Sequence, residues 1–123
     1  MRILVIEDDA EVREMICRIL NDEGYDVAEA VNGKDAFKLL SNDSKIYIVI
    51  TDIIMPEKEG IETICELKRD YPNIKILAVS GGGIGNAQDY LAFAKRLGAD
   101  LTLSKPFVKQ EILVAVQDLL EHK

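Results

Sequence analysis

The sequence predicts an α/β fold with a mainly parallel sheet covered by helices on both faces. Three observations carry this prediction. Short β-rich apolar runs alternate five times with amphipathic stretches of helical spacing. The runs at 47–51 and 74–79 are almost continuously apolar, as strands buried on both sides must be. Turn residues punctuate the alternation, and no linker, repeat or low-complexity run interrupts it.

The first run is Arg2–Ile6. Val12, Met15, Ile16, Ile19 and Leu20 then recur on one helical face, and Gly24 after Asn21-Asp22-Glu23 suits a left-handed cap. Asp9, just before Ala10, is read as the cap or first-turn acid of this helix rather than as a metal ligand. The second run covers 25–29. It is followed by the turn Asn32-Gly33 and a helix over 33–40 with Ala36, Phe37 and Leu40 facing inward. The third run, 47–51, precedes a helix over 60–70 that presents Ile61, Ile64 and Leu67, with Cys65 beside them, and Tyr71-Pro72-Asn73 closes it. The fourth run, 74–79, precedes a helix over 86–97 with Tyr90, Leu91, Ala94 and Leu97, ended by Gly98. The fifth, 101–103, leads into a helix over 109–120 with Ile112, Leu113, Val116, Leu119 and Leu120 inside.

A chain of 123 residues is expected to form one domain and to bury roughly two-thirds of its unfolded surface. A net charge of −7 argues against direct binding to nucleic acid or anionic lipid, both of which need a basic surface. No charged-then-apolar signal region opens the chain, and no apolar run approaches the ~20 residues of a membrane span. The expected location is cytoplasmic. Cys17 and Cys65 fit neither a disulfide framework nor a metal motif, and are expected to pack as two reduced, small apolar groups.

In an open parallel sheet the functional site lies beyond the carboxyl ends of the strands. Glu7-Asp8-Asp9 follows the first strand, Asp52 the third, Ser80 and Gly81-Gly82-Gly83 the fourth, and Lys105-Pro106 the fifth. These groups suit a metal-assisted phosphoryl site. Mg²⁺ takes carboxylate, water and phosphate oxygens. A carboxylate can accept a phosphoryl group, and a lysine and a metal can neutralise the charge in transit. Unpaired carboxylates ~4 Å apart repel by about 4 kcal/mol at an effective dielectric of ~20, so such a cluster calls for a cation. The glycine run after Ser80 is a poor nucleotide loop. Asn86 stands where a third fingerprint glycine belongs, and no Gly-Lys-Ser/Thr element is present.

The motifs Ile3-Leu4-Val5-Ile6-Glu7-Asp8-Asp9 with Arg13, Thr51-Asp52-Ile53-Ile54-Met55-Pro56, Val79-Ser80 and Ser104-Lys105-Pro106-Phe107 together give a resemblance over the whole chain. The sequence resembles the receiver domain of two-component response regulators. The resemblance implies a flavodoxin-like (βα)₅ sandwich with strand order 2-1-3-4-5. It implies Asp52 as phosphoacceptor and Asp8 as direct ligand of Mg²⁺, with Mn²⁺ as an alternative. Asp52 and the backbone carbonyl of Ile54 would share that metal, and Glu7 would act on it through water. Ser80, with Gly81 beside it, and Lys105 would bind the phosphoryl group. The Lys105-Pro106 bond is often cis in this family, and Phe107 is read as a packing residue that fixes the lysine loop.

The resemblance further implies that a histidine kinase or histidine phosphotransfer protein donates the phosphoryl group. The output would be a changed surface around the fourth helix, fifth strand and fifth helix, with the chain a monomer or a weak dimer through that face. The protein would assist its own phosphorylation and dephosphorylation without being an enzyme. Because the chain ends just after the last helix, a single-domain regulator spanning 1–123 is expected. Two departures stand out. Thr102 occupies the position where many receivers carry an aromatic switch residue, so it is read as a solvent-facing strand residue ahead of the alternative, a relay of altered form. The loop Gly81-Gly82-Gly83-Ile84-Gly85 is expected to be mobile before phosphorylation, since glycines cost more entropy to order. Ile54 and Gly82 cannot orient a water with their side chains, so weak self-dephosphorylation is expected. His122, in the final turn, is read as complementing the helix dipole. Three alternatives compete: a phosphorylation-independent, receiver-like interaction module; an aspartyl-phosphate phosphatase, which would need Asp-x-Asp after the first strand; and a flavin-binding flavodoxin, whose phosphate the acidic first loop would repel.

Overall fold

A computed structural model of the chain describes residues 1–53, 59–81, 92 and 94–121. Five strands form one sheet: β1 (Arg2–Ile6), β2 (Asp26–Ala30), β3 (Ile46–Asp52), β4 (Lys75–Gly81) and β5 (Leu101–Lys105). Their order is β2-β1-β3-β4-β5 and all four pairings are parallel. Among the described residues lie the helices α1 (Ala10–Asp22), α2 (Gly33–Asn42), α3 (Glu59–Asp70) and a C-terminal helix (Lys109–Glu121). Residues 94–97 are also helical, at the end of the fourth helical stretch that the spacing predicts. The rest of that stretch, the loop beyond Gly81, Ile54-Met55-Pro56 and His122 lie outside the described residues.

The period-two alternation of the strands divides the core into two layers. Leu4, Ile6, Val49, Ile76 and Ala78 face α2 and α3, packing on Ala36, Leu40, Ile64 and Leu67, with Ala94 in the same layer. Ile3, Val5, Ile48, Ile50, Leu77 and Val79 face the other way, onto Ile16, Cys17 and Leu20 of α1 and Ile112, Val116 and Leu119 of the C-terminal helix. Phe107 is buried in this second layer, which supports its reading as a packing residue.

Helix boundaries follow local chemistry. The Asp9 carboxylate accepts from the backbone N–H groups of Glu11 and Val12, so it caps α1 as expected. The Asn32 side chain accepts from Asp35 N–H and caps α2, a more specific role than a turn. Gly24 and Gly98 have φ of +90° and +131°, the left-handed region that favours glycine after a helix. The Lys105-Pro106 peptide is cis.

Three expectations need correction. Met15 is 40% exposed: α1 buries the narrower stripe of Ile16, Cys17 and Leu20, with Val12 and Ile19 half-buried at its margins. Cys65 is exposed, because it lies one residue, or about 100° of helix, past the inward Ile64. Only Cys17 packs as a small apolar group, and burial pushes its thiol up to about 11. The strands also run further than their apolar runs, β3 to Asp52, β4 to Gly81 and β5 to Lys105. Polar residues there keep strand geometry because the ladder continues beneath them, with Asp52 opposite Val79, Ser80 opposite Ser104 and Gly81 opposite Lys105.

No described helix is long and apolar enough to cross a membrane.

Candidate functional site

The strand order reverses at β1, since β2 lies on one side of it and β3 on the other. The carboxyl ends of β1 and β3 therefore open onto a crevice, where ligands of doubly wound sheets bind. Glu7 follows β1 and is tied to the neighbouring strand by its N–H donating to Ala30 O at 3.1 Å. Asp52 ends β3, and the next residue continues the ladder, Ile53 N–H donating to Val79 O at 3.0 Å. The Thr51 hydroxyl donates to the Asp52 carbonyl at 3.1 Å.

Glu7 and Asp52 are 1% and 6% exposed, whereas Asp8 is exposed. One carboxylate oxygen from each of the three lies within 4.8 Å of the others. Lys105 reaches across from the end of β5. Its ammonium donates to Glu7 Oε1 at 2.8 Å and to Asp52 Oδ2 at 3.1 Å. Glu7 and Asp52 thus share one ammonium, and the Asp8 carboxylate stands beside them. The all-oxygen donor set and the surplus negative charge fit a hard divalent cation such as Mg²⁺ or Mn²⁺. Ser80 is fully buried, and its hydroxyl has no hydrogen-bond partner among the described residues. A buried hydroxyl left this way is a donor held ready for an oxygen acceptor.

Burial pushes the Glu7 carboxyl up, and the Asp52 charge adds to this. The hydrogen bond from Lys105 opposes both, and the outcome is about 7. Burial alone would lower the Lys105 pKa, but its bond to Glu7 and the charge of Asp52 outweigh that and leave it raised.

The structure brings together Glu7, Asp8, Asp52 and Lys105 as the sequence motifs lead one to expect. Glu7 is buried and bound directly to the lysine. Thr102 is half-buried and lines a groove between β5 and the C-terminal helix, with Leu101, Val114 and Ala115. Gly81 is in register with Lys105.

Two supporting roles escape a reading of motifs alone. At Gly60, in the first turn of α3, a Cβ would stand 2.5 Å from both the Asp52 carbonyl oxygen and Ile53 Cα. The helix therefore packs directly on the backbone that carries Asp52. The available signal was a glycine inside a helical pattern, which costs about 1 kcal/mol relative to alanine and asks for a reason. Arg13, on α1, donates from Nη1 to the Glu7 carbonyl at 2.8 Å and pairs through Nε with Glu29 at 3.2 Å. Nothing in its spacing signals the first of these contacts.

The fold and site together define a doubly wound α/β domain with an acid–lysine cluster at its switch point. The family model for the response regulator receiver domain matches residues 3–117, and the chain belongs to that family. It is a signalling domain rather than a classical enzyme. Among curated relatives, the sensor kinase CckA of Brucella abortus is 36% identical over 97% of this chain and 12% of the kinase. A CpxR homolog of Haemophilus influenzae, a transcriptional regulatory protein, is 31% identical over 97% of this chain and 50% of its own length. The chain therefore spans half or less of these relatives. The receiver domain of NtrX from Brucella abortus superposes with a TM-score of 0.91 at 25% identity, over 98% of this chain and 99% of that one. A CheY-like receiver domain protein from Methanospirillum hungatei gives 0.86 at 26% identity, over 98% and 93%.

Two outcomes follow for the site. Gly60→Ala forces backbone apart at Asp52, and urea denaturation should show a loss of about 1–3 kcal/mol; unchanged stability would refute the close packing. For Glu7, the folded-state pKa lies above the unfolded value of 4.5, so the folded state holds an extra proton between about 4.5 and 7. The stability this confers is full below pH 4.5 and is lost as pH rises through about 7. In metal-free buffer the wild type should lose up to about 3 kcal/mol relative to Glu7→Gln between pH 5 and 8. Parallel pH profiles for the two proteins would contradict the assigned cause.

Proposed function

We propose that this domain is a phosphoacceptor switch in which Asp52 takes a phosphoryl group in a Mg²⁺-dependent reaction. The observation that supports it most is the arrangement around Asp52. A nearly buried carboxylate sits at a strand end, with an ammonium at 3.1 Å and two further carboxylates within reach of a shared cation. Asp8 and Asp52 would hold the metal, with Glu7 acting on it through water and the carbonyl of Ile54, outside the described residues, as a further ligand. When bound, Mg²⁺ supplies charge neutralisation at the phosphoryl oxygens and lowers the repulsion met by an attacking carboxylate.

The chain's own residues supply the rest. An Asp52 carboxylate oxygen forms the new P–O bond as the bond between phosphorus and the donor's imidazole nitrogen breaks, and the electron pair leaves with the imidazole. Lys105, already hydrogen-bonded to Asp52, donates one N–H as a hydrogen bond to a phosphoryl oxygen, remaining an ammonium, and keeps the acceptor oriented. The Ser80 hydroxyl, without a partner among the described residues, donates to a second phosphoryl oxygen.

The donor on this reading is a cytoplasmic histidine kinase or histidine phosphotransfer protein. Output passes through the surface of the fourth helix, the fifth strand and the fifth helix; among the described residues Val114 is exposed there and lines, with Thr102, the groove between β5 and the C-terminal helix.

Intact-mass measurement after acetyl phosphate treatment tests the reading. One added phosphoryl group is expected with Mg²⁺, none after chelation, and none for Asp52→Asn in either condition. An unmodified wild type with Mg²⁺ present would favour a phosphorylation-independent interaction module.

A further inference from the structure

The acidic loop after β1 is held by a closed ring of hydrogen bonds. Arg13 Nη1 donates to the Glu7 carbonyl at 2.8 Å. Arg13 N–H donates to the Asp9 carbonyl at 2.9 Å. Asp9 N–H donates to Glu7 Oε2 at 3.3 Å, and the Asp9 carboxylate caps the helix on which Arg13 stands. Arg13 is anchored in turn by Glu29 at 3.2 Å, its own side chain being mostly buried. The residues on both sides of Asp8 are therefore pinned, while the Asp8 side chain itself stays exposed and within reach of Glu7 and Asp52.

We infer that Arg13 is a positioning residue for the cation site: by holding the Glu7 carbonyl it fixes the peptide that aims the Asp8 carboxylate. The inference rests on the proposed reading of the acid cluster as a cation site. Its physical content is preorganisation. A loop already ordered loses less conformational freedom when its ligand arrives, and mutating the hydrogen-bonded support of a metal ligand typically weakens metal binding.

Positioning and bare electrostatics predict opposite signs. Removing a positive charge beside an acidic cluster strengthens its hold on a cation if charge alone matters. Losing the ring weakens it. Mn²⁺ is the probe, its free concentration read by electron paramagnetic resonance, so no phosphorylation assay is involved. Arg13→Met should raise the Mn²⁺ dissociation constant about tenfold, the lower end of the usual cost of losing such support. Arg13→Lys keeps the charge, but one ammonium cannot serve the Glu7 carbonyl and Glu29 with the fork of a guanidinium, so a smaller weakening is expected. Glu29→Gln removes a half-exposed ion pair and leaves the carbonyl contact in place, so affinity should stay within about twofold of wild type.

Equal or tighter Mn²⁺ binding in Arg13→Met overturns the inference. If that variant does not fold, Arg13→Lys decides by the same sign. Failure of the wild type to bind Mn²⁺ would instead overturn the reading of the site and this inference with it.

Discussion

Lys105 reaches Glu7 and Asp52 from the far side of the sheet, and the arrangement of the site depends on that span. The lysine leaves β5, which lies two strands from β3 and three from β1. At ~4.8 Å per strand that gap exceeds the length of one side chain, so the lysine and the two carboxylates must extend toward each other. The bridge matters because the two carboxylates are nearly sealed from water. Isolated buried charges carry penalties of several kcal/mol, which a well-placed counter-ion offsets only in part. The raised Glu7 pKa is the residue of that incomplete compensation. The metal-free domain thus holds its acids together with an internal cation, and a surplus of negative charge remains to attract an external one.

The scaffold around this cluster is built to keep it from relaxing. Glu7 is tied to β2 through Ala30 and to α1 through Arg13, and the backbone of Asp52 is packed against α3 at Gly60. Each of the two acid-bearing strand ends therefore has a helix or a neighbouring strand fixing its backbone. Repulsion among the carboxylates is therefore not readily relieved by moving the chain. A hydroxyl without a partner at Ser80, buried inside the same end of the sheet, adds a donor that an incoming oxygen anion can satisfy. The same features that cost stability in the resting domain are the ones a phosphoryl group and a cation would repair.

Much of this was legible in the sequence. The alternation of apolar runs and helical stretches is a one-dimensional signal, and it places all five strands, with Arg2–Ile6 matched at both ends. The polar residues at strand ends announced the site, because an α/β sheet offers no other reason for that placement. Strand lengths were underestimated where Asp52, Ser80 and Lys105 extend the ladder, since their side chains carry no β signature and the pairing that holds them is non-local. Met15 and Cys65 were misplaced because helical periodicity marks a face but not how wide a stripe the sheet covers. The roles of Gly60 and Arg13 were illegible for a different reason, although Arg13 belongs to the first motif: what each does depends on which backbone atom stands opposite, and that is a property of three-dimensional proximity alone.

The most direct test of the central claim is the dependence of melting temperature on Mg²⁺ concentration, for wild type and Lys105→Met. If Lys105 is the internal counter-ion, the variant melts lower than wild type in chelator and gains more from each increment of Mg²⁺, because the external cation then faces no competitor. Equal melting temperatures in chelator, with the same or a smaller gain from Mg²⁺, would contradict the account.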